Sequence, residues 1–303
     1  MSKLLAPRKT VFLEPLPLRS RLGIEVTLAT ETFQYTGSFK YRAAQNLVAK
    51  VANNHVITAS SGNFGQAISF ACMLAGKRCT VVMPDNSAAV KVDAVSSYKA
   101  EVELVDTTRV PREVRVAELA AQFPDAYVAS AFDDDFVIKG NSSLGLEIAS
   151  TGVVYDAVVA PIGGGGLAAG LATGFAEAGY RTQLVGAEPL LGNDAARSLR
   201  AGSLEANEQE PQTLADGART RSLGVRNWAI LQSALAGIIE VSEAEIKESL
   251  QLLFLSANLK VEPTGALTVG ALLNSPDEFR DQRVLCVVSG GNVDPLLYSE
   301  LLG

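Results

Sequence analysis

Short apolar stretches that alternate with helical patterns constrain this chain more than any other feature of its sequence. Residues 155–162 (YDAVVAPI) and 283–291 (RVLCVVSGG) are apolar almost throughout, and segments with helical spacing lie nearby at 167–179 and 265–273. A strand without polar alternation is buried on both faces, which is typical of a parallel sheet covered by helices. The sequence therefore predicts an α/β protein built on parallel sheets.

The other predicted elements continue this alternation. The segment at 242–259 opens with Ser242 and Glu245 at the spacing of a capping box, which predicts the start of a helix. The remaining predicted strands lie at 54–60, 78–84, 100–106 and 182–189, and the remaining predicted helices at 64–76 and 111–123.

The composition argues against several classes of function. With 303 residues, the chain is long enough for two domains or one large one. Its net charge of −7 and its lack of basic blocks argue against binding to nucleic acid or to anionic membranes. No stretch approaches the roughly 20 apolar residues of a membrane span, and no secretory signal is visible at the N-terminus. A cytoplasmic protein is therefore expected.

The cysteines and the single histidine carry no obvious chemistry. Cys72, Cys79 and Cys286 each lie in an apolar run, and their spacing fits no metal motif. Buried, reduced thiols are expected, as in a cytoplasmic protein. His55 is predicted to be a loop or strand-edge residue, and a functional role for it stays open.

Glycine-centred turns mark where a ligand could bind. The GGGG run at 163–166 precedes a predicted helix, so its backbone N–H groups are free to approach a phosphate. It is not a Walker A loop, because no Lys-Ser/Thr follows. Alone, it is equally consistent with a tight structural turn. Such turns are predicted to follow strands, where α/β proteins bind ligands, at 60–65, 163–166, 215–217 and 289–292.

A lysine lies in an unusual setting near the N-terminus. Lys40 directly follows Gly37, Ser38 and Phe39, a glycine, hydroxyl and aromatic environment that constrains a side chain which usually points into water. A constrained amine together with a phosphate-binding loop is what a cofactor with an aldehyde and a phosphate requires.

Six motifs in order carry a resemblance to a known family. They are TGSFKYR, SSGNFGQA, PIGGGGLAAG, ADG, EPTGAL and SGGNVD, and the resemblance they carry covers the chain from about Phe12 to Asp294. Together they resemble the fold type II pyridoxal 5′-phosphate (PLP) enzymes, in the branch of serine racemase and serine/threonine dehydratase. The resemblance implies that each chain has two open twisted parallel-sheet domains, as in the tryptophan synthase β subunit, with PLP in the cleft between the two domains. It also implies that two chains form a homodimer. The expected large domain comprises 1–48 and 128–303, and the small one 49–127.

The resemblance implies roles for individual residues. Lys40 matches the lysine that holds PLP as a Schiff base and then moves the α-proton of the substrate. Ser289 matches the hydroxyl that meets the pyridine nitrogen, and a neutral hydroxyl there suits elimination and racemisation better than transamination. The other implied cofactor contacts are Phe39 near the ring, Asn63 at the ring hydroxyl, and Gly163, Gly164, Gly165, Gly166 and Leu167 around the phosphate.

The loop Ser60, Ser61, Gly62, Asn63 matches the segment that grips the substrate carboxylate. Within it, Ser61 matches the second acid/base, on the face of the cofactor opposite Lys40. Ser61 could equally cap the following helix, and the two roles are compatible.

The segment GAEPLLGND implies a metal site. Related enzymes hold a divalent cation through the Glu of the EP pair, a backbone carbonyl and a following Asp, which here are Glu188, Gly192 and Asp194. Oxygen ligands suit Mg²⁺ or Ca²⁺, but a solvated acidic loop would have the same sequence.

Departures from the family pattern bear on the substrate. Phe64 replaces a frequent histidine, which suggests a larger or more apolar substrate side chain, and GNSS at 140–143 replaces Gly-Gln-Gly-Thr. Arg112, Arg219 and Arg221 belong to segments near the expected mouth of the site. They are either solvated surface residues or a sign of a second substrate carboxylate, as in 3-hydroxyaspartate.

The leading hypothesis is therefore a PLP-dependent ammonia-lyase (dehydratase) acting on a small β-hydroxy amino acid such as threonine or serine. A racemase that uses Lys40 and Ser61 is the first alternative, and a PLP-dependent β-replacement synthase is the second. A protein that binds a phosphate ligand without chemistry would leave Lys40 and Ser289 unexplained.

Overall fold

The computed structural model describes residues 4–87 and 89–303, and in them the chain forms two β-sheets flanked by helices. The predicted α/β architecture with parallel sheets is confirmed. The predicted helix start at Ser242 is also confirmed, because Ser242 and Glu245 form both hydrogen bonds of a capping box.

The larger sheet has six strands, and only its first strand is antiparallel to its neighbour. Its central strands are buried almost throughout, as expected for a sheet covered on both faces. In spatial order, the strands are β1 (Val11–Leu13), β2 (Glu25–Thr30), β10 (Arg283–Val288), β7 (Ala157–Pro161), β8 (Gln183–Pro189) and β9 (Leu235–Val241).

The smaller sheet has four parallel strands. They are β5 (Glu101–Val105), β4 (Arg78–Pro84), β3 (His55–Ala59) and β6 (Tyr127–Ala129), in spatial order. Because β6 pairs with β3, the smaller unit reaches at least Ala129, whereas the sequence placed its end inside this strand, after residue 127. The division into domains otherwise stays a prediction.

Twelve helices in the described residues flank the two sheets. They are α1 (Leu16–Leu22), α2 (Lys40–Lys50), α3 (Asn63–Ala75), α4 (Ala89–Ser96), α5 (Arg112–Gln122), α6 (Asp135–Ala149), α7 (Gly166–Ala178), α8 (Asp194–Ala201), α9 (Val225–Ala234), α10 (Glu243–Ala257), α11 (Pro263–Asn274) and α12 (Pro295–Leu302). No helix in residues 4–87 and 89–303 is both long enough and apolar enough to cross a membrane.

Helices α6 and α7 lie unusually close together because glycines line their interface. A Cβ at Gly170 would overlap the side chain of Asn141, and a Cβ at Gly174 would overlap a backbone carbonyl of α6. The close approach places the buried Asn141 of the GNSS segment directly against the first turn of α7, where its Nδ2 donates to the Gly166 carbonyl.

One predicted turn lies elsewhere than expected. Residues 215–217 do not follow a strand; they begin a short 3₁₀ turn, Asp216–Ala218, in the long loop after α8. This part of the prediction is wrong, because a polar connection was mistaken for a strand end. The turn nevertheless contacts α11, since the Gly217 N–H donates to the Thr264 hydroxyl over 2.9 Å.

The cysteines and the histidine behave as expected. Cys72, Cys79 and Cys286 are free and buried. His55 begins β3, where its Nε2 lies 2.8 Å from the Thr80 hydroxyl.

Candidate active site

A cavity of about 490 Å³ lies where strands of both sheets end. The segments that line it follow directly after β3, β7 and β10, as expected for ligand binding at the carboxyl ends of parallel strands. Of the residues that the sequence assigned to cofactor, substrate or catalysis, all line this cavity: Phe39, Lys40, Ser60, Ser61, Gly62, Asn63, Gly163, Gly164, Gly165, Gly166, Leu167 and Ser289.

Lys40 is the first residue of α2, and its amine points into the cavity wall. Its Nζ donates to the carbonyl of Ala131 over 2.8 Å and lies 5.1 Å from the ring centre of Phe39 and 5.8 Å from that of Phe64. Burial lowers the pKa of Lys40 to about 8, although the negative charge of Glu262 acts in the opposite direction. The amine is therefore more easily deprotonated than an ordinary lysine.

The segment before Lys40 is fixed by pairing with the segment after β10. Ser38 forms an antiparallel bridge with Gly290, and the Phe39 N–H donates to the Ser289 carbonyl over 2.9 Å. Gly37 has a φ of +73°, and a Cβ there would overlap the side chain of Asn292. The glycine is therefore required both for the turn and for the close approach.

The Ser289 hydroxyl is buried and has no hydrogen-bond partner in the described part of the chain. Buried hydroxyls are usually paired, and an unpaired one at a cavity wall needs an explanation. A ligand atom that donates to it or accepts from it would supply one.

The glycine loop connects β7 to α7. Among residues 4–87 and 89–303, no acceptor receives a hydrogen bond from the N–H groups of Gly163 through Leu167. A Cβ at Gly164 would overlap the ring of Phe132, and Gly165 has a φ of +86°. Larger residues are therefore excluded at these positions, and free N–H groups at the start of a helix are an arrangement that suits an anion.

The loop after β3 differs from the prediction in one respect. Ser60, not Ser61, accepts the hydrogen bonds at the start of α3, from the N–H groups of Gly62 at 3.4 Å and Gly65 at 3.0 Å. The predicted capping role of Ser61 is therefore wrong. The Ser61 side chain lines the cavity and makes no hydrogen bond to another described residue, so its hydroxyl is available for chemistry.

Asn63 links this loop to two segments beside the larger sheet, the residue before α11 and the loop after β10. Its Nδ2 donates to both carboxylate oxygens of Glu262 at 2.9 Å, and its Oδ1 accepts from Asn292 at 2.8 Å. Burial raises the pKa of Glu262 to about 8, and the bond from Asn63 opposes that shift. Glu262 is a site residue that was not predicted, although the sequence carries a signal for it: a carboxylate directly before the proline that begins a buried helix.

Comparison with known proteins identifies the family. Residues 4–290 match the family described as "Pyridoxal-phosphate dependent enzyme". An L-threo-3-hydroxyaspartate ammonia-lyase from a Pseudomonas species is 36% identical over 289 residues, which cover 94% of this chain and 90% of that protein. The chain belongs to the pyridoxal-phosphate dependent enzymes.

Further relatives agree with this family. Serine racemase from Dictyostelium discoideum is 33% identical over 303 residues, which cover 97% of this PLP enzyme and 92% of its relative. A solved structure of threonine deaminase from T.th. is 38% identical and superposes with a TM-score of 0.89, covering 95% of this chain and 94% of that one. The predicted fold type II architecture is confirmed by this structural likeness.

The cavity of this PLP enzyme fits its cofactor on three counts. The Lys40 amine can bond to the aldehyde, the free N–H groups of the glycine loop suit the phosphate, and the unpaired Ser289 hydroxyl suits the pyridine nitrogen. Phe39 lies beside Lys40, and its predicted contact with the cofactor ring stays a prediction.

Charged side chains surround the cavity mouth, and four of them form two ion pairs. Arg112 forms an ion pair with Glu210 at 3.2 Å, and Lys91 forms one with Asp216 at 2.8 Å. Arg219 also lines the cavity, but it donates only to the Thr213 carbonyl, over 2.9 and 2.6 Å, and forms no ion pair among the described residues.

Arg221, the third arginine predicted near the mouth, is exposed and does not line the cavity. Its Nε donates to the backbone carbonyl of Asn207 over 3.3 Å. Of the three arginines, only Arg219 is therefore both at the cavity and without an acidic partner in the described part of the chain.

The predicted metal ligands lie together outside the cavity. Both carboxylate oxygens of Glu188 accept N–H groups at the start of α8, from Ala195 and Ala196 at 2.9 Å each. Burial and the nearby Asp194 raise the pKa of Glu188 well above its usual value, and burial raises the pKa of Asp194 to about 6. The Asp194 Oδ2 atom is buried and unpaired within the described chain. No group of three or more His, Cys, Asp or Glu side chains in the described residues is arranged to hold a metal ion, so binding of a divalent cation by Glu188, Gly192 and Asp194 stays a prediction.

Proposed function

We propose that this PLP enzyme is an ammonia-lyase that converts a β-hydroxy amino acid into a 2-oxo acid and ammonium. The observation that carries the proposal is the Lys40 amine, with its lowered pKa, in one cavity with the free N–H groups of the glycine loop and the unpaired Ser289 hydroxyl. The α-proton and the β-hydroxyl leave as water. A water molecule then releases the nitrogen as ammonium, so no second substrate is needed.

Lys40 acts as the base. A pKa of about 8 leaves part of the amine neutral near pH 7, so Nζ can accept the α-proton of the substrate. Bound PLP supplies the electron sink that stabilises the resulting carbanion. Ser289 would present a neutral hydroxyl rather than a carboxylate to the pyridine nitrogen of bound PLP, which would keep that sink moderate and favour elimination over transamination.

The loop Ser60 to Asn63 is proposed to hold the α-carboxylate of the substrate. It lies at the start of α3, where helix N–H groups favour an anion. The Ser60 hydroxyl already caps this helix, so it holds the shape of the loop. Asn63 is held between Glu262 and Asn292, which fixes the orientation of its amide toward the cavity side of the loop.

Arg219 favours a substrate with a second carboxylate, such as 3-hydroxyaspartate. It is half-buried at the cavity and forms no ion pair within the described chain, so a substrate carboxylate would supply the missing partner. The Pseudomonas relative bears the name of an ammonia-lyase for L-threo-3-hydroxyaspartate, which supports this choice.

A substrate panel tests the proposal directly. L-threo-3-hydroxyaspartate, L-serine and L-threonine are incubated with the holoenzyme, and 2-oxo acid, ammonium and inverted amino acid are measured separately. We expect oxo acid and ammonium in equal amounts, with the highest kcat/KM for hydroxyaspartate. A β-replacement synthase would instead release the oxo acid only weakly and would consume an added thiol. A protein that only binds a phosphate ligand would form no product.

Racemisation is the second candidate, and the free Ser61 hydroxyl favours it. A racemase needs a proton donor on the face of the cofactor opposite its lysine, and Ser61 lines the cavity without another hydrogen bond among the described residues. Accumulation of the D-amino acid in the same panel, faster than formation of oxo acid, would make racemisation the principal activity.

We also propose that Glu188, Gly192 and Asp194 bind Mg²⁺ or Ca²⁺, because two buried carboxylates so close together need a positive charge or a proton. Added cation should raise the melting temperature after treatment with chelator. At a hundredfold excess over the dissociation constant, binding stabilises the fold by about 2.7 kcal/mol. An unchanged melting temperature at millimolar Mg²⁺ and Ca²⁺ would remove the metal from the proposal.

Two further proposals rest on the sequence and its resemblance. We propose a homodimer, which light scattering of the purified protein would test. We propose a cytoplasmic location, which the three free, buried cysteines support, because reduced thiols are typical of that compartment.

A further inference from the structure

Two asparagines lie behind the glycine loop, and neither has a role so far. Asn227 of α9 donates from Nδ2 to the carbonyl of Gly164 over 2.6 Å and to the carbonyl of Phe132 over 3.0 Å. Asn141 of α6 donates from Nδ2 to the carbonyl of Gly166 over 2.9 Å. Both side chains are completely buried, and neither lines the cavity.

The orientation of both amides is forced by these contacts. If either amide were turned over, its oxygen would face the lone pairs of a carbonyl. In the orientation present, the Oδ1 atoms of Asn141 and Asn227 are buried and unpaired within the described chain. Burying an unpaired acceptor costs stability, so two of them beside the same loop point to a functional use of the donors.

Each asparagine helps to fix a carbonyl that sets the direction of the next N–H group; the Gly224 N–H, at 3.1 Å, also holds the Gly164 carbonyl, and the first turn of α7 also holds that of Gly166. In a planar trans peptide, the carbonyl of one residue and the N–H of the next point in opposite directions, and the described chain has no cis peptide bond. Fixing the Gly164 carbonyl toward Asn227 therefore directs the Gly165 N–H away from it. Fixing the Gly166 carbonyl toward Asn141 directs the Leu167 N–H away in the same manner. Gly165 and Leu167 line the cavity and neither asparagine does, so N–H groups that point away from the asparagines are directed toward the cavity.

We propose that Asn141 and Asn227 are positioning residues that aim the N–H groups of Gly165 and Leu167 at the phosphate of PLP. This inference rests on the proposed role of the glycine loop. Preorganised donors bind an anion more tightly than a loop that must reorient, because the ordering cost is met during folding. Asn141 lies in the GNSS segment, which departs from the family pattern, and the proposed role would account for its residue type.

Asn227 has an additional effect near Lys40. Its second bond holds the carbonyl of Phe132, and the neighbouring Ala131 carbonyl accepts the hydrogen bond from Lys40. One amide thus ties the glycine loop to the segment that contacts the reactive amine. Loss of Asn227 should therefore affect PLP binding more than loss of Asn141.

Asn141→Leu and Asn227→Leu, which keep the approximate size of the side chain but remove the donor, test the proposal. The full-length protein is freed of PLP and titrated with PLP and with pyridoxal, which lacks the phosphate. We expect the dissociation constant of PLP to rise about 10-fold or more in each variant, and that of pyridoxal to change much less. The difference between the two ligands is diagnostic, because a merely structural role would weaken both equally.

Asn46→Leu is the matched control. Asn46 also donates from Nδ2 to a backbone carbonyl, that of Phe136 at 2.7 Å, but it does not line the cavity or touch the glycine loop. We expect normal PLP affinity in this variant. If the leucine variants fail to fold, Asn141→Ser and Asn227→Ser replace them in the same titration.

The outcomes separate this inference from the proposed function. Failure of the unmodified protein to bind PLP would overturn the site itself. The role of the asparagines alone would be overturned if the unmodified protein binds PLP and the variants bind it equally well. The same holds if the variants lose affinity for PLP and for pyridoxal in the same proportion. Unfolding of all four variants would show that both residues are structural supports and would likewise overturn the inference.

Discussion

The two walls of the cavity are built in different ways. On the wall formed by the larger sheet, the glycine loop is backed by buried side chains, and its N–H groups are free within the described chain. On the wall formed by the smaller sheet, the loop from Ser60 to Asn63 is partly exposed. Asn63 connects this loop to the opposite wall: it donates a side-chain hydrogen bond to Glu262 and accepts one from Asn292.

The difference matches the two tasks of the site. A resident cofactor is bound through every turnover, so a wall that is preorganised for it gains affinity without a repeated ordering cost. A substrate must enter and leave, and a loop with few bonds to the opposite wall can adjust at little cost. We therefore expect substitutions in the first wall to affect cofactor binding and substitutions in the second to affect the choice and fate of the substrate.

Lys40→Ala should have the largest effect. Without the amine, the protein has neither the covalent attachment for PLP nor the base for the α-proton, so turnover should fall by at least about 10²-fold. The visible absorbance of bound PLP should also shift or disappear. Lys91→Ala is the control, because Lys91 lines the same cavity but pairs with Asp216. Normal turnover in Lys40→Ala would refute the catalytic assignment.

Ser61→Ala should separate the two proposed reactions. Racemisation needs a proton donor opposite Lys40 and should fall by about 10²-fold or more, whereas elimination from an L-substrate should be partly retained. Chiral chromatography and an oxo-acid assay measure the two rates on the same sample. Ser60→Ala is the control: it removes a helix cap worth about 1 kcal/mol and should lower both activities together. The same joint loss in Ser61→Ala would mark Ser61 as structural.

Arg219→Gln should change selectivity rather than general activity. The ratio of kcat/KM for hydroxyaspartate to that for serine should fall by about 10- to 100-fold, because a charged hydrogen bond to the second carboxylate is lost. Arg221→Gln should leave the ratio unchanged, since Arg221 is exposed and outside the cavity. An unmodified enzyme with a ratio near or below one would contradict the diacid substrate before any variant is made.

The same contrast explains what could be predicted from the sequence. The cofactor wall is encoded in contiguous motifs, so Lys40, the glycine loop and Ser289 could be located without coordinates. The parallel sheets followed from uninterrupted apolar strands. Bonds between distant segments could not be predicted: Asn227 reaches Gly164 across 63 positions, and Asn63 reaches Glu262 across 199. The sequence predicted Ser61 as the helix cap, but Ser60 accepts those hydrogen bonds. Which of two adjacent hydroxyls caps a helix depends on the loop geometry, which the sequence does not show.

Glu262→Gln should give a smaller effect that depends on pH and tests the link between the walls. Burial raises the pKa of Glu262 to about 8, so between its ordinary value of 4.5 and about 8 the folded protein retains a proton that the unfolded chain has lost. The folded state then binds more protons, and its stability must fall as pH rises through this window, by a few kcal/mol at most. Glutamine removes this titration and keeps an acceptor for Asn63.

Melting temperatures of the PLP-free protein between pH 5 and pH 8 measure this effect. As pH rises, the melting temperature of Glu262→Gln should increase relative to that of the unmodified protein. Glu113→Gln, a change at an exposed carboxylate on the same cavity, should show no such trend. Parallel curves for Glu262→Gln and the unmodified protein would mean that Glu262 does not titrate in this range. The bond between Asn63 and Glu262 would then join the two walls with constant strength across that range.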